Sequence, residues 1–222
     1  LIGPNGAGKT TFFNVISGYQ KPSSGDIILA GDNITNFKPD RIAKLGLVKT
    51  FQETTLFHEM TVQQNVSLGF HLRVKSTILS TLLHTASYLR EQEKISEKVT
   101  ELLDFMGIAN LKDELAKNLP HGHQRALAIA IALAAKPKVL LLDEPVTGMN
   151  PKETAVMMER IRKIRDEMGI TIVLVEHDMK AVMELSDRVT VLSYGKKIAE
   201  GFPRDVVQNQ EVITAYLGTE ED

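Results

Sequence analysis

The chain has 222 residues, 43% of them apolar and 24% charged, a size that suits one α/β domain with an inserted subdomain better than two domains. Lys plus Arg number 26 against 28 Asp plus Glu, a net charge of −2, so the balance gives no electrostatic reason to expect a nucleic-acid partner. Cysteine is absent, which excludes a disulfide framework and thiolate metal sites, and no stretch approaches the roughly 20 apolar residues that cross a bilayer.

Leu1 and Ile2 read as the end of a strand, and the chain is expected to lack its first strands and its true N-terminus. Residues 3–11 follow as GPNGAGKTT, and Lys9 to Ser17 reads as a helix that Gly18 closes. Gly3, Gly8, Lys9 and Thr10 satisfy G-x-x-x-x-G-K-[ST] in its required context of strand, loop and helix. In such a loop, formed here by Gly3, Pro4, Asn5, Gly6, Ala7, Gly8, Lys9, Thr10 and Thr11, glycines let backbone N–H groups surround phosphate oxygens. Lys9 then reaches the β- and γ-phosphates, and the Thr10 hydroxyl ligates Mg²⁺. The bland alternative is a Gly-rich surface turn that happens to carry a lysine.

Asp26 to Ala30 reads as a strand turning at Gly31-Asp32, Asp40 to Leu45 as a short helix, and Gly46 to Phe51 as a second strand ending at Gln52. Helical spacing then dominates to Ala135. Residues 91–106 place Ile95, Val99, Leu102, Leu103 and Met106 on one face, and the uniformly apolar run Ala126 to Ala135 reads as a buried helix. Strand character returns at Val139 to Leu142, Ile170 to Val175 and Arg188 to Leu192, with a helix at Lys152 to Met168 and a turn at Tyr194-Gly195. Continuous apolar strands separated by helices predict a mostly parallel, buried sheet. The expected plan is a nucleotide-binding core over 1–52 and 136–222, interrupted by a helical subdomain over 53–135.

Asp143 and Glu144 close the apolar run beginning at Val139, where a parallel strand delivers its last residues to the ligand crevice. Asp143 is placed to hold Mg²⁺, which takes only one or two carboxylates. Glu144 projects differently and is free to polarise an attacking water as general base. Two solvated acids at a strand end are the plain alternative.

GPNGAGKTT, Gln52, the Gly-centred helix start at 119–125, LLLDEP and the Glu176-His177 dipeptide, in this order, resemble the ATP-binding subunit of an ABC transporter along essentially the whole chain. The resemblance implies a P-loop NTPase core of RecA-like type, with ATP and Mg²⁺ as ligands. It makes Gln52 the loop glutamine that touches Mg²⁺ and the attacking water, and His177 the switch histidine at the γ-phosphate. Leu119, Pro120, His121, Gly122 and His123 occupy the signature segment, which reaches ATP held by a partner subunit. The family usually reads LSGGQ there, and Pro120 removes a hydroxyl and a backbone N–H; His121 and His123 either compensate or face solvent. Asn150 stands where Asp is usual. Both departures lie on the partner-facing surface and imply pairing with a non-identical second ATPase subunit.

The long insert, Thr147 to Thr154 and the tail Val212 to Gly218 resemble the ATPase of branched-chain amino-acid importers. That likeness implies permease subunits, reached through a groove beside Gln52 for which Leu56, Phe57 and Met60 are candidates, and indirectly a solute-binding protein. It implies a place at the cytoplasmic face of the inner membrane and no nucleic-acid partner. A lipopolysaccharide-exporter ATPase and a soluble ABC ATPase acting on nucleic acid or ribosomes are the alternatives. The cluster Arg160, Arg162, Lys163 and Arg165 is interleaved with Glu159, Asp166 and Glu167 and reads as a solvated helix face. No N-K-x-D guanine-reading motif occurs.

Overall fold

A computed structural model describes residues 1–50, 56–70 and 86–217. The central sheet is built on β4 (Val139–Asp143), paired in parallel with β3 (Leu47–Lys49) on one side and β5 (Thr171–Val175) on the other. Leu140, Leu141 and Leu142 of β4 are each 0% exposed, because successive side chains leave opposite faces of a strand that is covered on both. Leu140 and Leu142 enter the larger core with α3 (Val62–Gly69), α4 (Ala86–Phe105), α5 (His121–Ala134) and α6 (Pro151–Asp166). Leu141 points the other way and joins Phe13 of α1 (Lys9–Ile16) and Ile42 of α2 (Pro39–Leu45).

Leu1 and Ile2 extend this sheet. The Leu1 nitrogen donates to Leu174 O at 2.6 Å, and Ile2 forms a parallel bridge with Val191, its N–H donating to Thr190 O at 2.9 Å. They therefore lie between β5 and β6 (Val189–Ser193), and the loop that follows emerges at the strands' C-terminal edge.

Two antiparallel pairs differ from the parallel expectation. β1 (Ile28–Leu29) turns through Ala30 and Gly31, both at positive φ, into β2 (Asp32–Asn33). β6 turns through Tyr194 and Gly195 into β7 (Lys196–Gly201), a strand for which the sequence predicts only the turn before it. Only Ile198 and Ala199 of β7 pack against the core, so its apolar signal is weak. Two-residue loops of this kind match the right-handed twist of hairpin strands. After β5 come α7 (Met179–Leu185), and after β7 come α8 (Pro203–Val206) and α9 (Gln210–Leu217).

Between β3 and β4 the described residues hold helices. Val99, Leu103 and Met106 are buried, with Ile95 and Leu102 packed beside them, as the spacing predicts. Helix α5 starts at His121, five residues before the apolar run. Ahead of α3, a capping box joins Thr61 and Gln64, and buried Asn65 holds the loop before it. The Asn65 side chain accepts from Phe57 N at 2.8 Å and donates to the carbonyls of Phe57 and Thr61, each at 3.0 Å. Leu56 belongs to the core, whereas Phe57 and Met60 are exposed. Three of the four clustered basic residues of α6 pair with acids, Lys163 with Glu159 at 2.8 Å, Arg165 with Asp166 at 2.7 Å and Arg162 with Glu184 at 3.8 Å. Arg160, by contrast, is half-buried against Gly107 and departs from the expected solvated face.

Candidate nucleotide-binding and hydrolysis site

The loop from Gly3 to Gly8 joins the Leu1–Ile2 segment to α1. A Cβ on Gly3 would lie 2.2 Å from Leu192 O, so a side chain has no room where the loop leaves the sheet. Gly8 precedes α1 with φ 98° and offers no capping side chain. The first-turn N–H groups of α1 are therefore directed at the cleft and favour an anion. That cleft, of about 260 Å³, is lined by Asn5, Gly6, Ala7, Gly8, Lys9, Thr10 and Thr11, faced by Glu144, Val175 and His177. Lys9 is buried, and its ammonium donates to Gly3 O at 2.7 Å and Pro4 O at 3.0 Å. Burial pushes the Lys9 pKa down, while Glu144 and Asp143 push it up.

Asp143 and Glu144 leave β4 in different directions. Asp143 is buried, its carboxylate 3.9 Å from Lys49 Nζ, and it does not line the cleft. Burial raises its pKa, opposed first by Lys49. Glu144 turns out of the strand through a left-handed backbone at φ 50° and donates its N–H to Val175 O at 2.9 Å. Its Oε1 then lies 2.9 Å from His177 Nε2, beside the phosphate loop. Two residues from different strand ends thus form one hydrogen-bonded pair at the cleft that Thr10 also lines.

Residues 1–147 match the ABC transporter family, and residues 196–222 match the branched-chain amino acid ATP-binding cassette transporter family. The chain is 43% identical over 218 residues to the Escherichia coli K12 "High-affinity branched-chain amino acid transport ATP-binding protein LivG", covering 98% of this chain and 86% of that protein. It belongs to the ABC transporter family. The Pseudomonas aeruginosa protein BraF, also named a high-affinity branched-chain amino acid transport ATP-binding protein, is 39% identical over the same shares. A nucleotide-free ATP-binding cassette from an ABC transporter superposes with TM-score 0.83 at 31% identity, covering 98% of this chain and 86% of that one. The ADP conformation of the cassette MJ1267 gives the same values.

As an ABC cassette the chain is an ATPase with an α/β P-loop fold. Gln52 lies outside the described residues. Leu119 is part of the core, Pro120 is the residue preceding α5, and His121 is exposed beside Gly148. His123 Nδ1 is buried and has no hydrogen bond among the described residues. None of Leu119, Pro120, His121, Gly122 or His123 lines the cleft of its own chain. Asn150 acts locally. Its side chain accepts from Lys152 N and Glu153 N, each at 3.0 Å, and the Glu153 carboxylate accepts in return from Asn150 N–H. The departure from Asp thus retains a complete capping box for α6.

Three residues escaped the sequence reading. Lys49 pairs with Asp143 and donates to Asn14 Oδ1 at 3.0 Å; its only signal was a charge inside an apolar strand. Arg125 reaches Asp143 electrostatically from α5, its Nε buried and without a hydrogen bond among the described residues. Glu176, directly after β5, is 1% exposed, a burial for which the sequence carries no signal.

Proposed function

We propose that this chain binds and hydrolyses ATP to drive import of branched-chain amino acids, or a related small polar solute, across the bacterial inner membrane. The observation that carries the hydrolytic part is the 2.9 Å contact between Glu144 and His177 at the mouth of the phosphate-loop cleft. Glu144 polarises the attacking water, and His177 orients Glu144 and meets the γ-phosphate. Gly3 to Thr11 hold the phosphates, with Lys9 exchanging its two backbone carbonyls for phosphate oxygens.

The residues present fit Mg²⁺. Among the described residues no group of three or more His, Cys, Asp and Glu could hold a metal by itself, which suits a cation that takes one or two carboxylates and relies on substrate phosphates for other ligands. Thr10 would supply a hydroxyl oxygen from the cleft, Asp143, set back from it beside Lys49, would hold the ion directly or through water, and the sequence adds Gln52. The chemistry supplied by a Mg²⁺ held there would be neutralisation of charge on the phosphates. The chain's own residues orient the nucleotide, place the water and hold its proton.

The 43% identity with LivG over 98% of the chain, together with the matched segment 196–222, supports the amino-acid importer. In this reading the core spans 1–52 and 136–222 and the helical unit 53–135. The chain sits on the cytoplasmic side against permease subunits and pairs with a second, non-identical ATPase subunit, a solute-binding protein acting from the far side. Among the described residues no helix is long and apolar enough to cross a membrane, which suits a peripheral subunit. Exposed Phe57 and Met60, held by Asn65, suit the permease-facing groove. The test is ATP-dependent leucine uptake into vesicles carrying the full-length protein with its permeases, second ATPase and binding protein. Uptake that persists without this subunit would overturn the reading.

A further inference from the structure

Glu176 precedes His177 and is almost wholly buried, yet it makes no ion pair among the described residues. Its carboxylate accepts instead from backbone. Oε1 takes the N–H of Val146 at 3.0 Å, from the turn that follows Glu144, and Oε2 takes the N–H of His177 at 3.1 Å. The Asp178 N–H also bears on it. One side chain therefore ties the turn after β4 to the end of β5, two segments separated by 30 residues.

These are the two segments whose side chains meet in the Glu144–His177 pair. The pair has one further tether, the bond from Glu144 N to Val175 O at 2.9 Å. Glu144 holds a left-handed backbone, which for a residue with a Cβ persists only where surrounding bonds over-determine it. A carboxylate suits this position because it is acceptor-only at both oxygens. A glutamine would turn an NH₂ toward one of the two backbone donors and leave both groups unsatisfied.

We infer that Glu176 is a positioning residue for hydrolysis, its buried carboxylate clamping the Val146 and His177 amides so that Glu144 and His177 stay within hydrogen-bond reach. The inference rests on the roles proposed above for those two residues. The clamp touches neither the phosphate loop nor the reacting atoms, so it acts on turnover and leaves nucleotide affinity nearly unchanged.

The experiment compares the full-length protein, assembled with its partner subunits, with its Glu176→Gln variant, which keeps side-chain volume. ATP turnover and ¹⁵N NMR of the His177 ring are read together. The expected result is a kcat lower by roughly 10–100-fold, the scale of a small misplacement of reacting groups, with KM for ATP changed less than about twofold and the His177 resonance moved toward that of a free imidazole. An unchanged kcat overturns the inference, as does a loss that falls equally on KM. The His177 signal is read without turnover, so failure of the hydrolysis reading is distinguished from failure of the clamp. Should the variant not fold, hydrogen exchange in the unaltered protein decides. Slow exchange at the Val146 and His177 amides supports the clamp, and exchange as fast as at exposed amides overturns it.

Discussion

Lys9 and Gly3, the two ends of the phosphate loop, are joined across it by a 2.7 Å hydrogen bond from the lysine ammonium to the glycine carbonyl. The cation that is to receive phosphate is thus already inside the loop, partnered by backbone and partly desolvated. Phosphate binding replaces the neutral acceptors of this cation with charged ones, turning ion–dipole contacts into ion–ion contacts in a partly desolvated site.

Lys9→Ala is accordingly expected to weaken ATP binding by about 1.5–3 kcal/mol, or some ten- to hundredfold in Kd. Calorimetric titration of the full-length protein measures it. Turnover falls with it, because the lysine serves binding and chemistry together.

Gly3→Ala tests the loop's geometry. The added Cβ would meet backbone 2.2 Å away at Leu192 O, which no side-chain rotation relieves. The variant is expected to lose at least the roughly 1–3 kcal/mol typical of overpacked sites, seen as a lower midpoint in urea unfolding.

Asn150 separates a structural role from a partner-facing one. Removing its cap with Asn150→Ala is expected to cost about 1 kcal/mol of stability, while Asn150→Asp is expected to be near neutral because both residues cap well. Denaturant titration distinguishes the two variants.

Glu176 also predicts a pH dependence of the nucleotide-free protein. Its pKa is raised from 4.5, chiefly by burial. Above that ordinary value the folded state binds more protons than the unfolded chain, so this residue's contribution to stability falls as pH rises from 4.5 through the folded pKa. Buried Asp143 acts in the same direction. Thermal midpoints measured across this interval are expected to slope downward less in Glu176→Gln than in the unaltered protein.

Much of this architecture is legible without coordinates. The phosphate loop can be read because its glycines are backbone requirements written directly in sequence, and the strand Val139–Asp143 because burial on both faces demands an unbroken apolar run. The start of α6 is read one residue late: the helix is expected from Lys152 and begins at Pro151, with Asn150 as N-cap and Glu153 completing the capping box. What sequence alone does not yield are relations between distant segments. Lys49 reads as a polar interruption until Asp143 lies 3.9 Å away. Nothing in the sequence around Glu176 announces the Val146 amide, 30 residues away, from which its carboxylate accepts. Strand β7 escapes notice because its hydrogen bonds to β6, and little apolar packing, hold it in place.

Hydrolysis at this site depends on the Glu144 carboxylate in contact with His177, and one variant addresses that directly. ATP binding and ATP turnover are measured for the full-length Glu144→Gln protein assembled with its permeases and partner ATPase. Unchanged ATP affinity with turnover reduced at least about a hundredfold, well within the range for loss of a general base, is the predicted result. Turnover at the unaltered rate would contradict the role given to Glu144.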